Sequence, residues 1–252
     1  MPDRRKYQRV WLLAHGRFER AMRVDVSRAR NRYVKAAAKH YGEHGTLPAY
    51  IRAAYETALG DVFTKHLQRI VPHFGRIATR ELKSRYRIME RKRGDTFYLT
   101  MMEWARTRAL NNASTVADTD TAIIRKHIED GLEAGDGNDA IARRIRDSAS
   151  LTAYRAATIA RTETSVAASY GASADARQTA EETGLVLVKE WIATNDDRTR
   201  ESHIAADGQI IELDESFEVD GEFLDRPGDA AGSPENVINC RCVASYTEKP
   251  DE

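Results

Sequence analysis

Apolar residues recur at three- and four-residue steps through the first half of the chain, with Arg and Lys between them. Trp11 and Phe18 belong to this pattern, which predicts a helix over residues 3–43. Thr46 is a suitable N-cap for a second helix. Pro72 is expected to end or kink that helix, because proline lacks the backbone donor that a helix interior requires.

The same periodicity continues beyond this proline. It predicts a very basic helix over residues 73–93, two helices that start near residues 95 and 118, a short helix over 139–146, and a long helix that starts near Ser148 or Ser150 and ends at about residue 183. The long helix is rich in Ala, Ser and Thr. Small residues let neighbouring backbones approach closely, so we expect this helix to pack centrally.

The pattern of a strand first appears after the long helix. Residues 185–192 form an apolar run typical of a strand, residues 208–213 predict a short strand after a tight turn, and residues 237–243 predict a closing strand. The acidic, Gly-rich segment between residues 214 and 234 is interpreted as a loop.

These elements together predict a mostly helical α+β protein. Residues 1–134 would form an extended basic-to-mixed helical region that contacts DNA or other proteins. Residues 135–246 would form a compact C-terminal domain with a long helix and a small β-sheet, and residues 247–252 a disordered tail.

The net charge of the whole chain is zero, but its distribution is uneven. Residues 1–93 contain 23 Lys and Arg against 8 Asp and Glu, and residues 94–252 carry the compensating negative excess. An excess of this size, interleaved with tyrosines, is compatible with non-specific binding to the phosphates of duplex DNA, although a basic helix is usually just a solvated face. The candidate DNA-binding residues are Arg4, Arg5, Lys6, Arg9, Arg85, Arg87, Arg91, Lys92 and Arg93.

Several classes of protein are not indicated. The N-terminus lacks the apolar core of a signal peptide, and no apolar run approaches the ~20 residues of a membrane span. Two cysteines two positions apart do not make a disulfide framework, so synthesis in a reducing cytoplasm is expected.

Cys240 and Cys242 are the cysteines of the chain. On a strand, side chains two apart point to the same face, and two thiolates with the imidazole of His203 could hold zinc, with Asp197 or Asp207 as a fourth ligand. The alternative, which we favour from sequence, is that both thiols are simply packed as small apolar groups.

Two groups of charged residues admit a catalytic and a structural interpretation. A charged loop follows the first strand. It could form a catalytic or ligand-binding cluster with His203 as the acid or base, or a salt-bridged loop that fixes the end of the strand. Its residues are Asp196, Asp197, Arg198, Arg200 and His203. Arg161 and Glu163 lie two apart on the long helix and so do not face each other. We favour the structural interpretation of both groups, because no nucleophile with a positioned base can be named.

The order of these motifs is more specific than any one of them. It runs from Ala-Arg-Thr-Glu on a helix, through a strand ending in Trp and a charged loop with His, to Asp-Gly-Gln, Pro-Gly-Asp and a closing Asn-Cys-Arg-Cys. Over roughly residues 135–246 this order resembles the phage head morphogenesis family, the minor head proteins similar to protein F of phage Mu. The residues that carry the motifs are Arg161, Glu163, Trp191, Asp197, Arg198, Asp207, Gly208, Asn239 and Arg241.

The resemblance implies a non-enzymatic virion protein of a tailed double-stranded DNA phage or prophage. It would lie inside the capsid near the portal vertex, with the portal protein, other head proteins and non-specific double-stranded DNA as partners, no membrane at assembly, and a role in head assembly, packaging or DNA delivery. Two alternatives remain: a metal-dependent hydrolase or nuclease that uses His203 with Cys240 and Cys242, and a non-specific cytoplasmic DNA-binding protein. No cofactor is required by the structural interpretation, and zinc is the metal that the Cys and His ligands would hold.

Overall fold

The computed structural model describes residues 3–86, 95–148 and 153–250. Its helices are α1 (Arg4–His44), α2 (Ala49–Arg85), α3 (Asp95–Glu133), α4 (Asn138–Arg146), α5 (Ala153–Thr183), α6 (Glu201–Ala205) and α7 (Pro234–Val237). Its strands are β1 (Leu187–Ile192), β2 (Ile210–Glu212), β3 (Phe217–Val219), β4 (Glu222–Leu224) and β5 (Val243–Glu248). The predicted class, a mostly helical α+β protein with a small sheet, is confirmed. None of the described helices is both long and apolar enough to cross a membrane.

The predicted break at Pro72 is wrong, because α2 runs through it without interruption. Ile70, Val71 and Phe74, on either side of the proline, are fully buried. Each buried side chain of this size stabilises the fold by about 1.5–3 kcal/mol, so together they outweigh the roughly 3 kcal/mol that an interior proline costs. The part of the predicted helix 73–93 that the structure describes, up to Arg85, is therefore the end of α2.

A second predicted helix boundary, near residue 118, is also wrong, because α3 is one helix. The residues that looked like caps make other contacts. Asp118 pairs with Arg52, and the Thr119 hydroxyl donates to the carbonyl of Thr115 one turn earlier. A capping residue thus signals a helix start only when its side chain is not used elsewhere.

The chain divides into two compact units, each built from separate segments. The first, here called the sheet unit, comprises Met1–Glu19, Leu67–Ala105 and Arg161–Glu252, and the second, the helical unit, comprises Arg20–His66 and Arg106–Ala160. This division differs from the predicted boundary between residues 134 and 135. Long helices contribute residues to both units, so no single cut of the chain separates them.

The helical unit has a buried carboxylate at its centre. Asp120 accepts hydrogen bonds from Arg30 (2.8 Å), the Tyr55 hydroxyl (2.7 Å) and Arg155 (2.8 Å). Burial acts to raise the pKa of Asp120, but hydrogen bonding and the charge of Arg30 hold it below its usual value. Tyr55 also stacks on Tyr33 with ring centroids 4.3 Å apart. The unit is thus organised around an ion pair whose charges have several partners.

The sheet unit brings α1, α2 and α5 together with the strands. Trp11 of α1 packs edge-on against Phe74 of α2, with centroids 4.5 Å apart. In α5, Gly171 lies against the backbone of Val71, where an added Cβ would meet the carbonyl oxygen at 2.0 Å. The predicted close packing of this small-residue helix is therefore seen where α5 contacts α2.

The main sheet has the strand order β2-β1-β5 and is antiparallel throughout. Leu187 pairs with Glu248 and Ile192 with Val243, so β5 covers the full length of β1. The closing strand therefore starts later than predicted, and the residues at 247 and 248 lie in it rather than in a disordered tail. Residues 251–252 lie outside the described residues.

A hairpin lies inside the segment that was interpreted as a loop. β3 and β4 pair antiparallel, with Phe217, Val219 and Leu224 buried. Asp220 and Gly221 at the turn have φ of 55° and 75°. Asp-Gly between apolar residues is a strong hairpin signal in a sequence, and the prediction overlooked it.

Candidate metal centre

His203, Cys240 and Cys242 come together in the sheet unit. Their candidate ligand atoms all lie within 4.8 Å of one another, and all three residues are buried. His203 Nδ1 is 3.3 Å from the sulfur of Cys242 and 3.7 Å from the sulfur of Cys240. The predicted metal-candidate residues thus form one cluster.

The secondary structure that carries the cysteines differs from the prediction. Cys240 and Cys242 are not on a strand but in the loop between α7 and β5, here called the CxC loop (residues 238–242). His203 lies on α6, a helix of five residues that follows β1. Two cysteines in an irregular loop can converge on a histidine only if the backbone of the loop is held from outside.

Three side chains from two segments hold the carbonyls of the CxC loop. Arg200 donates to the carbonyl of residue 238, Thr194 to that of residue 241, and Ser165 to that of residue 240, each at 2.7 Å. The first two donors lie between β1 and α6, and the third lies on α5. The loop is therefore fixed to both the helix and the end of the first strand.

Asn239 forms the bend of the CxC loop. Its φ is 61°, a left-handed conformation that Asn adopts more readily than most residues. Its backbone N–H donates to the Thr162 hydroxyl at 3.1 Å, and its side-chain oxygen accepts from Arg161 at 3.1 Å. The Arg161 guanidinium also pairs with Glu19 of α1. Arg161 of α5 thus contacts both α1 and the CxC loop.

His15 of α1 completes this anchoring. Its Nε2 lies 2.9 Å from the Ser165 hydroxyl, which in turn donates to the carbonyl of Cys240. Burial and the nearby charges of Arg161 and Arg241 lower the pKa of His15 to about 4. Sequence reasoning missed His15 and Ser165, and it gave Thr162 no role beyond its place in the Ala-Arg-Thr-Glu motif. The one signal for the two α5 residues is that residues 161, 162 and 165 share one side of that helix, and His15 on α1 has no such signal.

A bidentate salt bridge joins the CxC loop to the loop between β1 and α6. Arg241 donates to both oxygens of Asp196, at 2.5 and 2.6 Å. This pairing holds the pKa of Asp196 well below its usual value. The adjacent motif residues Asp197 and Arg198 have exposed side chains. The backbone N–H of Arg198 donates to Asp196 at 3.1 Å, whereas its guanidinium lies 3.7 Å from the same carboxylate. The carboxylate that fixes this loop is therefore Asp196.

Asp207 and Gly208 fix the end of β1. The Asp207 carboxylate accepts from the backbone of Ala193 at 2.7 Å and pairs with Arg4. Gly208 has a φ of 83°, and its N–H donates to the carbonyl of Trp191 at 2.8 Å. Neither Asp207 nor Asp197 joins the metal-candidate cluster, within the part of the chain that the structure describes.

Trp191 packs against the imidazole of the cluster. It is fully buried, and it meets the rings of His203 and Phe217 edge-on, with centroids 5.6 and 5.3 Å away. Glu163 is also buried. The thiols and the imidazole therefore lie in a mostly buried setting, with Trp191 on one side.

The two thiols differ in their readiness to ionise. A hydrogen bond from Cys242, followed by the contact with His203, lowers the pKa of Cys240 well below its usual value. The same bond to Cys240, together with burial, raises the pKa of Cys242.

The predicted DNA-binding residues fall into three groups. Arg5, Lys6, Arg9 and Arg85 are exposed. Arg4 instead pairs with Glu190 and Asp207. Residues 87 and 91–93 lie outside the described residues. Further exposed basic residues of the sheet unit, which the prediction did not single out, are Arg17, Arg69, Arg76 and Arg80.

Residues 122–245 match the model of a known protein family, described as Phage Mu protein F like protein. It is 35% identical over 124 residues to the minor head protein GP7 of Bacillus phage SPP1, a match that covers 49% of this chain and 39% of that protein. It is also 33% identical over 120 residues to the NAD(+)--arginine ADP-ribosyltransferase EFV of Enterococcus faecalis, covering 48% of this chain and 24% of that protein. The chain therefore spans well under half of the length of either relative. No solved structure matches it.

The matched region contains the metal-candidate cluster, the CxC loop and the anchors on α5. The resemblance predicted from the order of motifs is confirmed: residues 122–245 match the model of the Phage Mu protein F like family, and the same half of the chain is similar to a phage minor head protein.

Proposed function

We propose that the protein is a minor head protein, placed inside the capsid near the portal vertex, where it contacts double-stranded DNA and acts in head assembly, packaging or DNA delivery. The observation that carries the proposal is the match of residues 122–245 to this family, together with the similarity to a protein named a minor head protein. The portal protein and other head proteins are the proposed protein partners.

A non-enzymatic role is supported by what the motif residues do. Arg161, Asn239 and Arg241 are engaged in contacts that hold the CxC loop. His203 and both cysteines are each at most 4% exposed, which leaves little of their surface for contact with a substrate. The relative named as a transferase shares only 24% of its length with this chain, which leaves most of that protein outside the comparison.

The proposed DNA contact rests on exposed basic side chains of the sheet unit. Arg5, Lys6 and Arg9 occupy the start of α1. Arg76 and Arg80 are four apart on α2, which places them on one face. Exposed guanidinium and ammonium groups on adjacent turns can neutralise successive phosphates without reading bases.

The DNA contact is tested with the full chain and a short duplex at a series of salt concentrations. If about four phosphates are neutralised, the logarithm of affinity falls with the logarithm of salt at a slope near −3.6. The double variant Arg5→Ala/Arg9→Ala should weaken binding and reduce the slope by roughly 1.8, since each lost phosphate contact removes about 0.9.

The matched control is Arg143→Ala/Arg146→Ala, which removes the same charge from exposed positions of α4 in the helical unit. This control should bind nearly as the unmodified chain does. Equal losses in both variants would show that only total charge matters, and a salt-independent affinity would reject the DNA contact.

The virion assignment is tested separately, by mass spectrometry of particles purified on a density gradient. Peptides of this chain should copurify with the major head protein at a small, fixed ratio. Their presence in the lysate but absence from the particles would overturn the proposal, whatever the outcome of the DNA experiment.

A further inference from the structure

The spacing of the three candidate ligand atoms fits a tetrahedral zinc ion. Zinc binds sulfur at about 2.3 Å and imidazole nitrogen at about 2.0–2.1 Å, so a tetrahedral ion places N and S ligands about 3.6 Å apart. The separations from His203 Nδ1 to the two sulfurs are 3.3 and 3.7 Å. An ion can therefore enter the cluster with small side-chain movements.

The orientation of the imidazole supports the same conclusion. Nδ1 of His203 faces both sulfurs, whereas Nε2 is buried and has no hydrogen-bond partner within the described residues. A metal bound at Nδ1 would place the ring proton on Nε2. It would also use the ring nitrogen that already faces both sulfurs.

The charges of the cluster also suit a divalent cation. Two thiolates neutralise the charge of Zn²⁺, which matters because His203, Cys240 and Cys242 are each at most 4% exposed and an uncompensated buried charge is costly. Soft thiolate ligands with an imidazole favour zinc over magnesium or calcium.

We propose that His203, Cys240 and Cys242 bind one Zn²⁺ that ties α6 to the CxC loop. Three protein ligands leave one tetrahedral position, and a cleft lined by Thr194, Thr199 and Arg200 adjoins the cluster. A solvent molecule from this cleft completes the coordination.

The role of this ion is structural. α6 has five residues and the CxC loop has no regular structure of its own, so neither can hold its position through backbone hydrogen bonding alone. A shared ion joins the segment after β1 to the segment before β5, and both segments flank the central strand pair. Small, loop-rich regions commonly need a cross-link such as a disulfide or a structural metal ion. The inference does not depend on where the protein acts in the virion.

The test uses the full chain, produced without a His tag in medium supplied with zinc. Elemental analysis should find close to one zinc per chain, and a chelator should remove it and lower the melting temperature, with recovery when zinc is added back. Cobalt added to the metal-free chain should give thiolate-to-cobalt charge-transfer absorption that zinc abolishes.

Variants separate a bound ion from packed thiols. Cys240→Ser, Cys242→Ser and His203→Gln should each lose most of the zinc. His73→Gln, a half-buried histidine of α2 that packs on Phe18, should keep it. Where a cysteine variant fails to fold, the metal content and cobalt spectrum of the unmodified chain still decide.

Three results would overturn the proposal. The first is a zinc-free chain whose melting curve is the same with and without added zinc, which means packed thiols. The second is a mass two hydrogens lower than the reduced chain, which means a Cys240–Cys242 disulfide. The third is full zinc content in the cysteine variants, which places the metal elsewhere.

Discussion

Gly171→Ala tests whether the small residues of α5 permit the contact with α2. The added Cβ would lie 2.0 Å from the carbonyl oxygen of Val71 and 2.8 Å from its carbonyl carbon. Both are backbone atoms, so no rotamer change relieves the clash and a helix must move by about 1 Å. Overpacking of this kind usually costs about 1–3 kcal/mol. We expect a cost near the upper end of this range, because the added Cβ meets backbone atoms, which cannot rotate away.

Replacing glycine by alanine in a helix interior also contributes about 0.5–1 kcal/mol of stability. The net expectation for Gly171→Ala is therefore a loss of about 2 kcal/mol, or roughly 4–8 °C in melting temperature for a chain of this size. The assay is thermal unfolding followed by circular dichroism, together with urea unfolding.

Gly60→Ala is the matched control, since Gly60 is also interior to a long helix. Its added Cβ would meet Leu110 at an ordinary contact of 3.5 Å, so this variant should be neutral or slightly more stable. If Gly171→Ala were as stable as Gly60→Ala, the close approach of α5 to α2 would be refuted.

Three further variants test buried charge and pH dependence. Asp120→Ala should destabilise the protein by about 3–5 kcal/mol in urea unfolding, because it leaves the buried Arg30 without its carboxylate. Asp118→Ala, at an exposed ion pair, should cost at most about 1 kcal/mol. His15 has a pKa of about 4 in the folded chain against about 6.5 when unfolded, so its stabilising effect is complete above pH 6.5 and is lost as pH falls towards 4. His15→Gln should therefore flatten the stability profile between pH 4 and 6.5, and an unchanged slope there would contradict the assigned burial.

Helical periodicity predicted the helices well where one face is continuously apolar. The helix expected over 3–43 is observed as Arg4–His44. The breaks expected at Pro72 and near residue 118 were wrong, since both rested on local signals that tertiary contacts override. Burial around the proline, and the ion pair of Asp118, cannot be inferred from neighbouring residues alone.

The cluster of His203, Cys240 and Cys242 was predicted by residue chemistry, although the expected strand geometry was wrong. The residues that hold the CxC loop were harder to find. Ser165 and Thr194 are ordinary hydroxyl residues whose role depends on carbonyls far away in sequence. Only the fold reveals which backbone groups they satisfy.

The most direct test of the proposed role is the place of this chain within purified particles. Intact and opened particles are treated with protease and then compared by quantitative mass spectrometry. A protein inside the head should stay intact in closed particles, be digested in opened ones, and remain at a few copies per particle. Digestion in closed particles, or loss of the chain on mild washing, would contradict an internal head protein.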